Sequence, residues 1–421
     1  MGFHAIMISK NNKAFCILPF VHTHLNTEGD VFPCCVGWTS DRKTRLGFLS
    51  ENTLEELFNS EEMKNLRLDM INGKLNEKFC GNCYQREDAG FVSARTGNNR
   101  DFTDVEDEIV SRMEPDGYLD PDIKSWDIRF SNLCNLKCRS CGGVYSSTWA
   151  QEDAENGSTV TNITGKISST TIGIDPLEKQ YENVEKIYFA GGEPLIMPEH
   201  FTTLRKLIES GRSKHVKLVY NTNMTKLNYN NNNLVDLWKE FNQVVLGMSI
   251  DAMGDRAEYI RNGIAWDKIE SNIREIYDVC LNNRNITYHI SPTVSIMNVW
   301  TLPDMHRYFV ENKLMRSTND ILLNILLGPS YYEIRNLPDH LKKEIKDKYT
   351  NHIGWLNERN TQQHVIDQFS SVITYIDGDS SPRDIKDFVV YTKMLDKRRS
   401  QSFSHTFPEY TAWWKEITYD E

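Results

Sequence analysis

The sequence predicts an α/β protein built on a partial (β/α)6 barrel, with a small module before the barrel and a helical extension after it. Three observations carry that expectation. From Trp126 to Gly328, short apolar stretches of strand character alternate with helical stretches, the pattern of parallel βαβ units. Six such stretches are too few for an eight-stranded barrel but suit an open one. Of the nine cysteines, only Cys280 stands alone; the others lie before the barrel or directly after its first strand.

The elements follow in order. Residues 1–90 hold five cysteines and one amphipathic pattern, "TLEELFNSEEMKNLRLDMING", read as a single helix with Thr53 as N-cap and Gly73 as its stop. Residues 91–124 are polar and acidic and read as a linker or wrapping segment. The barrel, residues 125–330, takes its strands from "WDIRFS" (126–131), "KIYFAGG" (186–192), "VKLVYNTN" (216–223), "VVLGMSID" (244–251), "ITYHISPTVS" (286–295) and "ILLNILLG" (321–328). Between the first two lies "ENGSTVTNITGKISSTTIGID", whose composition is that of a surface loop, although loops on that face also form lids. Residues 331–421 read as a charged helical extension, in which Trp413 and Trp414 fill a groove.

Composition narrows the function classes. A chain of 421 residues and 48.9 kDa has room for two to three domains. With 48 Lys+Arg against 59 Asp+Glu, a net charge of -11 and no basic stripe, nucleic acid is a poor partner. No apolar run reaches the roughly 18 residues of a membrane span. The start "MGFHAIMISKNNKAF" lacks the layout of a secretory signal, so a cytoplasmic protein is expected. Clustered cysteines in a reducing compartment point to metal rather than disulfides. Cys280, in the helical pattern "NIREIYDVCLNN", reads as a buried hydrophobe.

The chemistry concentrates in "SNLCNLKCRSC", where Cys134, Cys138 and Cys141 have C-x3-C-x2-C spacing just after the first barrel strand. Three thiolates can hold three irons of a 4Fe-4S cube and leave the fourth open to a small molecule. The competing reading is a zinc site completed by a distant histidine. At the end of the second strand, "FAGGEPLI" supplies Gly191, Gly192, Glu193 and Pro194. Glycines admit close backbone approach, and Glu193 can accept hydrogen bonds from an ammonium group. "MSIDA", "YNTNM" and "SIMN" place Ser249, Asp251, Asn223 and Asn298 at later strand ends. The N-terminal cysteines have their own pattern: twelve residues separate Cys16 from Gly29, four more precede Cys34, and "FCGNC" adds Cys80 and Cys83. Cys16, Cys34, Cys80 and Cys83 could close a second cluster, with Cys35 as an alternative ligand; a four-cysteine zinc knuckle competes.

Together these motifs resemble the radical S-adenosylmethionine (radical SAM) superfamily, with a SPASM/twitch-type auxiliary module placed N-terminal to the barrel. In most relatives that module follows the barrel, so here contact requires the chain to fold back. The resemblance implies that Cys134, Cys138 and Cys141 hold a SAM-binding 4Fe-4S cluster. It further implies that Gly191, Gly192, Glu193, Pro194, Asn223, Ser249, Asp251, Arg261 and Asn298 surround the SAM, with Arg261 pairing to its carboxylate. Ala252 replaces the glycine usual in the "SIDG" stretch of the peptide-modifying branch. The implied chemistry is reductive cleavage of SAM to a 5'-deoxyadenosyl radical that abstracts hydrogen from substrate, with a flavodoxin- or ferredoxin-type reductant. No catalytic residue beyond the cluster and the SAM site is assigned. An auxiliary 4Fe-4S cluster would serve electron transfer or substrate binding. A peptide or protein side chain is the expected substrate; a small molecule such as a sugar or nucleotide-derived metabolite is the alternative, and a non-catalytic metal scaffold a third.

Overall fold

The computed structural model describes residues 12–37, 43–88, 92–157 and 180–419. Most of the Ser/Thr-rich loop, and of the N-terminal stretch read as lacking a secretory signal, lies outside the described residues. The chain folds as two compact units, one made of residues 1–134, 153–220 and 236–244, the other of residues 135–152, 221–235 and 245–421. Among the described residues, no helix is long and apolar enough to cross a membrane.

Fourteen short strands are described, introduced here in chain order. β1 (His22–Leu25), β2 (Asp30–Phe32) and β3 (Gly47–Phe48) precede β4 (Ser125–Ile128), β5 (Lys137–Cys138), β6 (Lys186–Phe189) and β7 (Lys217–Thr222). β8 (Asn228–Tyr229) and β9 (Asn232–Asn233) make a small hairpin; β10 (Gln243–Met248), β11 (Arg261–Asn262), β12 (Ile286–Ile290), β13 (Thr293–Val294) and β14 (Asn324–Ile325) follow. The main sheet runs β12-β10-β7-β6-β4-β1-β2-β3. β4, β6 and β7 are parallel, in the register Trp126↔Ile187 and Ile187↔Leu218.

Side-chain alternation explains why these strands are buried. Trp126, Ile128, Ile187, Phe189, Leu218 and Tyr220 share one face and are almost wholly buried. Phe189 stacks on Tyr220 with centroids 5.3 Å apart and meets His200 edge-on at 4.8 Å. His200 comes from the helix Pro198–Glu209.

Five of the six expected barrel strands form, and the sixth is abbreviated. Within "ILLNILLG" only Asn324–Ile325 pairs as a strand, parallel to β13, with an isolated bridge from Ile321 to Ile290. Pro292 interrupts the neighbouring strand between β12 and β13, because it offers no N–H to a ladder.

The N-terminal module folds back more intimately than its sequence position suggests. β1 adds to the barrel sheet as a parallel neighbour of β4, pairing His22 with Ser125 and His24 with Asp127. β1 and β2 make a hairpin over "TEGDVFPCC", turning at Gly29 with φ +87°, a left-handed conformation suited to glycine.

The single helix expected over "TLEELFNSEEMKNLRLDMING" is instead two, Leu54–Phe58 and Glu61–Ile71. Thr53 caps the first through a reciprocal box with Glu56, and Ser60 caps the second. The break is fixed by buried Arg67, which donates to Phe58 O at 2.7 Å and Asn59 Oδ1 at 3.0 Å, so the carbonyl end of the first helix is satisfied by a side chain. The acidic segment after residue 91 is partly helical (Ala94–Asp101, Glu106–Ser111) and wraps the first cysteine: Asn99 accepts from Ile17 N at 2.8 Å and donates to Phe15 O at 3.1 Å.

The C-terminal extension is helical at Asp339–Asn357, Gln363–Tyr375, Pro382–Arg399 and Thr411–Ile417. Trp413 is buried and stacks on Phe388 at 5.5 Å, while Trp414 meets Phe403 at 4.8 Å. The paired tryptophans pack, as their sequence context indicated, and Cys280 is buried on the helix Trp266–Asn282.

Candidate cofactor site

The N-terminal thiols are brought together from three elements. Cys16 is buried just ahead of the short helix Leu18–Val21, Cys34 follows β2, and Cys80 and Cys83 lie three apart on the helix Glu77–Asp88, where that spacing puts side chains on one face. Burial raises the Cys16 thiol well above its ordinary value, and charge on Cys34, Cys80 or Cys83 raises it further. Burial likewise pushes Cys34 up to about 11 and Cys80 up to about 12, with Cys83 adding to both. Cys16, Cys34 and Cys80 thus resist ionisation in the company of one another and of Cys83, and a cationic centre is what would make thiolates stable there.

Cys35, next to Cys34, has a further neighbour in Asp127. Burial raises its thiol, and the next largest influence is Asp127, which also hydrogen-bonds it. Cys34 also raises the Cys35 thiol, so the two adjacent cysteines share surroundings.

The first thiol of the C-x3-C-x2-C motif, Cys134, is buried in the loop that follows β4. The GGEP turn fits against the same loop: Glu193 N donates to Leu133 O at 2.8 Å. Gly192 has φ +55°, and a Cβ there would stand 2.4 Å from Leu133 O; Gly191 has φ +75°, and a Cβ there would stand 2.9 Å from Arg129 Cβ. Both glycines are thus required by close approach as well as by dihedral. Glu193 is buried and its Oε1 accepts from Leu195 N at 3.1 Å, while Pro194 opens the short 3-10 turn Pro194–Ile196.

The other two thiols sit around a small ribbon. β5 and β11 pair antiparallel, placing Arg261 opposite Cys138. Arg261 Nη1 lies 3.7 Å from Cys138 Sγ, and its Nε lies 2.8 Å from Asp251 Oδ2. Burial disfavours the Arg261 charge, but Asp251 and then Cys138 more than offset it and hold the guanidinium protonated. Burial raises the Cys138 thiol while Arg261 lowers it; the half-buried Cys141 is pushed up to about 12 by desolvation and then by Cys138.

The remaining expected residues have defined places. Asp251 Oδ1 accepts from Thr293 N at 2.8 Å, so its carboxylate braces β13 as well as Arg261. Asn298 is wholly buried and spends its amide on backbone, accepting from Ser295 N and donating to Asp251 O and Thr293 O. Asn223 donates to Asn135 Oδ1 at 3.1 Å and accepts from Thr225. Ser249, half-buried, follows β10 and donates its N–H to Thr222 O at 2.8 Å. Asn135 was not singled out from sequence, yet it stands inside the cysteine motif and links it to the end of β7; its position between Cys134 and Cys138 was the available signal. Trp149, which donates to Cys138 O at 2.7 Å, gave no such signal.

Among the described residues, no three Cys, His or carboxylate side chains stand in a geometry that would hold a metal ion. The thiols are gathered without forming a closed cage. Their chemistry nevertheless suits iron–sulfur clusters, which are held by cysteine thiolates: a quartet at the N-terminal site, and Cys138 and Cys141 beside a fixed cation at the other.

Comparisons agree with this chemistry. The SPASM family, described as an iron-sulfur cluster-binding domain, matches residues 16–84, and the radical SAM superfamily matches residues 128–305. Similar solved structures include hexahistidine-tagged anSMEcpe with bound AdoMet, 19% identical over 56% of this chain and 57% of that chain, with a TM-score of 0.38. Native anSMEcpe with bound AdoMet and the Cp18Cys peptide is 18% identical over 56% and 62%, with a TM-score of 0.36. Streptococcus suis SuiB bound to S-adenosylmethionine is 13% identical over 81% and 69%, with a TM-score of 0.37. The chain spans less than two thirds of the length of these two anSMEcpe chains. No curated protein matches it. The chain thus carries a SPASM segment over residues 16–84 and a radical SAM segment over residues 128–305, and its cofactors are a 4Fe-4S cluster, S-adenosylmethionine and auxiliary iron–sulfur.

Proposed function

We propose that this chain is a radical SAM enzyme that takes hydrogen from a peptide or protein side chain. When bound, the cluster and SAM supply one electron and a sulfonium whose S–C5' bond breaks, giving methionine and a carbon radical able to abstract hydrogen. The observation that carries the reading is the convergence of Arg261 on Cys138 and Asp251 at one end of the cysteine loop.

Cys134, Cys138 and Cys141 are the ligands of the SAM-binding cluster in this account, and Cys16, Cys34, Cys80 and Cys83 those of the auxiliary one. Arg261, kept charged by Asp251, presents a cation beside Cys138 that suits the SAM carboxylate. Gly191 and Gly192 keep the GGEP turn free of side chain where a ligand's amino group would approach, and Glu193 supplies an acceptor. Asp251 and Asn298 brace the strand ends of the site through hydrogen bonds to the backbone of residues 251 and 293. The peptide assignment rests on the "MSIDA" stretch and the arginine that follows it, which look most like the peptide-modifying branch.

The test is isotope transfer. A candidate peptide, deuterated at its side chains, is incubated with the reconstituted protein, SAM and reductant. Deuterium in 5'-deoxyadenosine supports the reading; SAM cleavage without transfer from any native-host peptide contradicts the substrate class.

A further inference from the structure

Residues 331–421 have no part in the chemistry above, yet one short stretch of them grips the cysteine loop. Three lines of contact run from Cys138 and its two sequence neighbours to residues 396–401.

The first starts at Arg139, whose side chain is fully buried. Its Nη2 donates to Asp396 Oδ1 at 2.5 Å and to Gln401 Oε1 at 3.0 Å. Its guanidinium lies 3.6 Å above the Tyr259 ring, and the Tyr259 hydroxyl donates to the same Asp396 oxygen at 2.7 Å. The other Asp396 oxygen accepts from Phe403 N at 2.7 Å, which fixes the carboxylate in place.

The second line starts at Lys137, which binds Glu152 at 2.7 Å; Glu152 in turn binds Arg399 through both carboxylate oxygens. The third starts at the Cys138 carbonyl, which accepts from Trp149, and the Arg399 guanidinium lies 4.7 Å from that ring. Arg399 and Arg139 are both buried charges, and buried charges persist where partners hold them. The helix Pro382–Arg399 ends at Ser400 in a left-handed conformation, which turns Gln401 back towards the loop.

We infer that Asp396 and Arg399 of the C-terminal extension are positioning residues that clamp the Lys137–Arg139 segment and so hold Cys138 in place as a cluster ligand. The inference rests on the assignment of Cys138 to the SAM-binding cluster. An open-iron cluster has one protein ligand fewer than a closed one, so each of its three thiols carries more of the retention. A loop of this length has little secondary structure of its own beyond the two-residue β5. The clamp supplies the missing rigidity from a distant part of the chain.

The experiment uses the full chain, anaerobically reconstituted, and follows iron release to a chelator together with the change that SAM produces in the electron paramagnetic resonance spectrum of the reduced protein. Asp396→Asn and Arg399→Gln should each speed the release of about half the iron by tenfold or more and blunt the SAM-induced change, and Asp396→Glu should restore much of both. Glu409→Gln is the control: Glu409 joins the extension to Arg256 through two hydrogen bonds, at 2.5 and 2.7 Å, and does not touch the cysteine loop. It should leave release at the unsubstituted rate. Equal release in all variants overturns the clamp, as does equal acceleration by Glu409→Gln. Should Asp396→Asn fail to fold, Arg399→Gln decides alone. An unsubstituted protein that holds iron but shows no response to SAM overturns instead the ligand assignment beneath the proposal.

Discussion

Arg261 stands opposite Cys138 in a two-residue antiparallel ribbon, with Nη1 3.7 Å from the sulfur and Nε 2.8 Å from Asp251. The pairing brings a permanent cation to a thiol that burial raises, and offsets part of that rise. Cys138→Ala should therefore abolish SAM cleavage while leaving the auxiliary iron, about four atoms per chain, in place. Iron analysis alongside a 5'-deoxyadenosine assay checks both halves.

Arg261→Gln removes the cation and leaves Asp251 buried with one partner fewer. SAM binding to the reconstituted protein should weaken by about tenfold or more, equivalent to about 1.4 kcal/mol, because hydrogen bonds to charged groups are among the stronger ones. Equilibrium dialysis measures it, and unchanged affinity would remove Arg261 from the SAM site.

Gly192→Ala introduces a Cβ 2.4 Å from Leu133 O at φ +55°. The dihedral alone costs roughly 1–3 kcal/mol, and relief of the clash must move the backbone next to Cys134. Denaturant unfolding should show the loss, with lower iron retention at the SAM-binding site.

The two adjacent thiols should behave differently. Cys34→Ala should lose the auxiliary iron, whereas Cys35→Ala should retain it, because Cys34 interacts with Cys16, Cys80 and Cys83, while Cys35 interacts with Cys34 alone of that group and is bonded to Asp127. Equal loss from both variants would contradict the choice of Cys34 over Cys35 as ligand.

Acid sensitivity follows from a buried histidine. Burial lowers His200 from 6.5 to about 3, so the folded protein keeps it neutral while the unfolded chain protonates it. The unfolded state binds more protons between those values. Stability from this group is complete above pH 6.5 and is lost progressively as pH falls towards 3, with a slope of up to about 1.4 kcal/mol per pH unit. His200→Gln should flatten the fall in melting temperature as the pH drops from 6.5 towards 3. An unchanged slope would show that His200 does not titrate this way.

Much of this architecture was legible because strand alternation and cysteine spacing are local properties. Five of the barrel strands, the packing of Trp413 and the burial of Cys280 could all be read from short windows. The two-helix break at Asn59 and Ser60 could not, since it depends on Arg67 reaching back to Phe58 O. Nor could the addition of β1 to the barrel sheet, because the pairing of His24 with Asp127 joins residues far apart in the chain. The clamp on Cys138 was invisible for the same reason: nothing around Asp396 or Arg399 marks them as partners of Arg139 and Glu152. The hydrogen bonds of Asn298 to Ser295 N, Asp251 O and Thr293 O were likewise not legible, since they join three separate backbone groups.

Anaerobic reconstitution is the most direct measurement of the central claim, with iron and sulfide counted per chain and 5'-deoxyadenosine assayed from SAM under reductant. The account predicts about eight irons per chain, from two 4Fe-4S clusters, together with SAM cleavage. Bound zinc in place of iron, or full iron content with no cleavage of SAM, would contradict it.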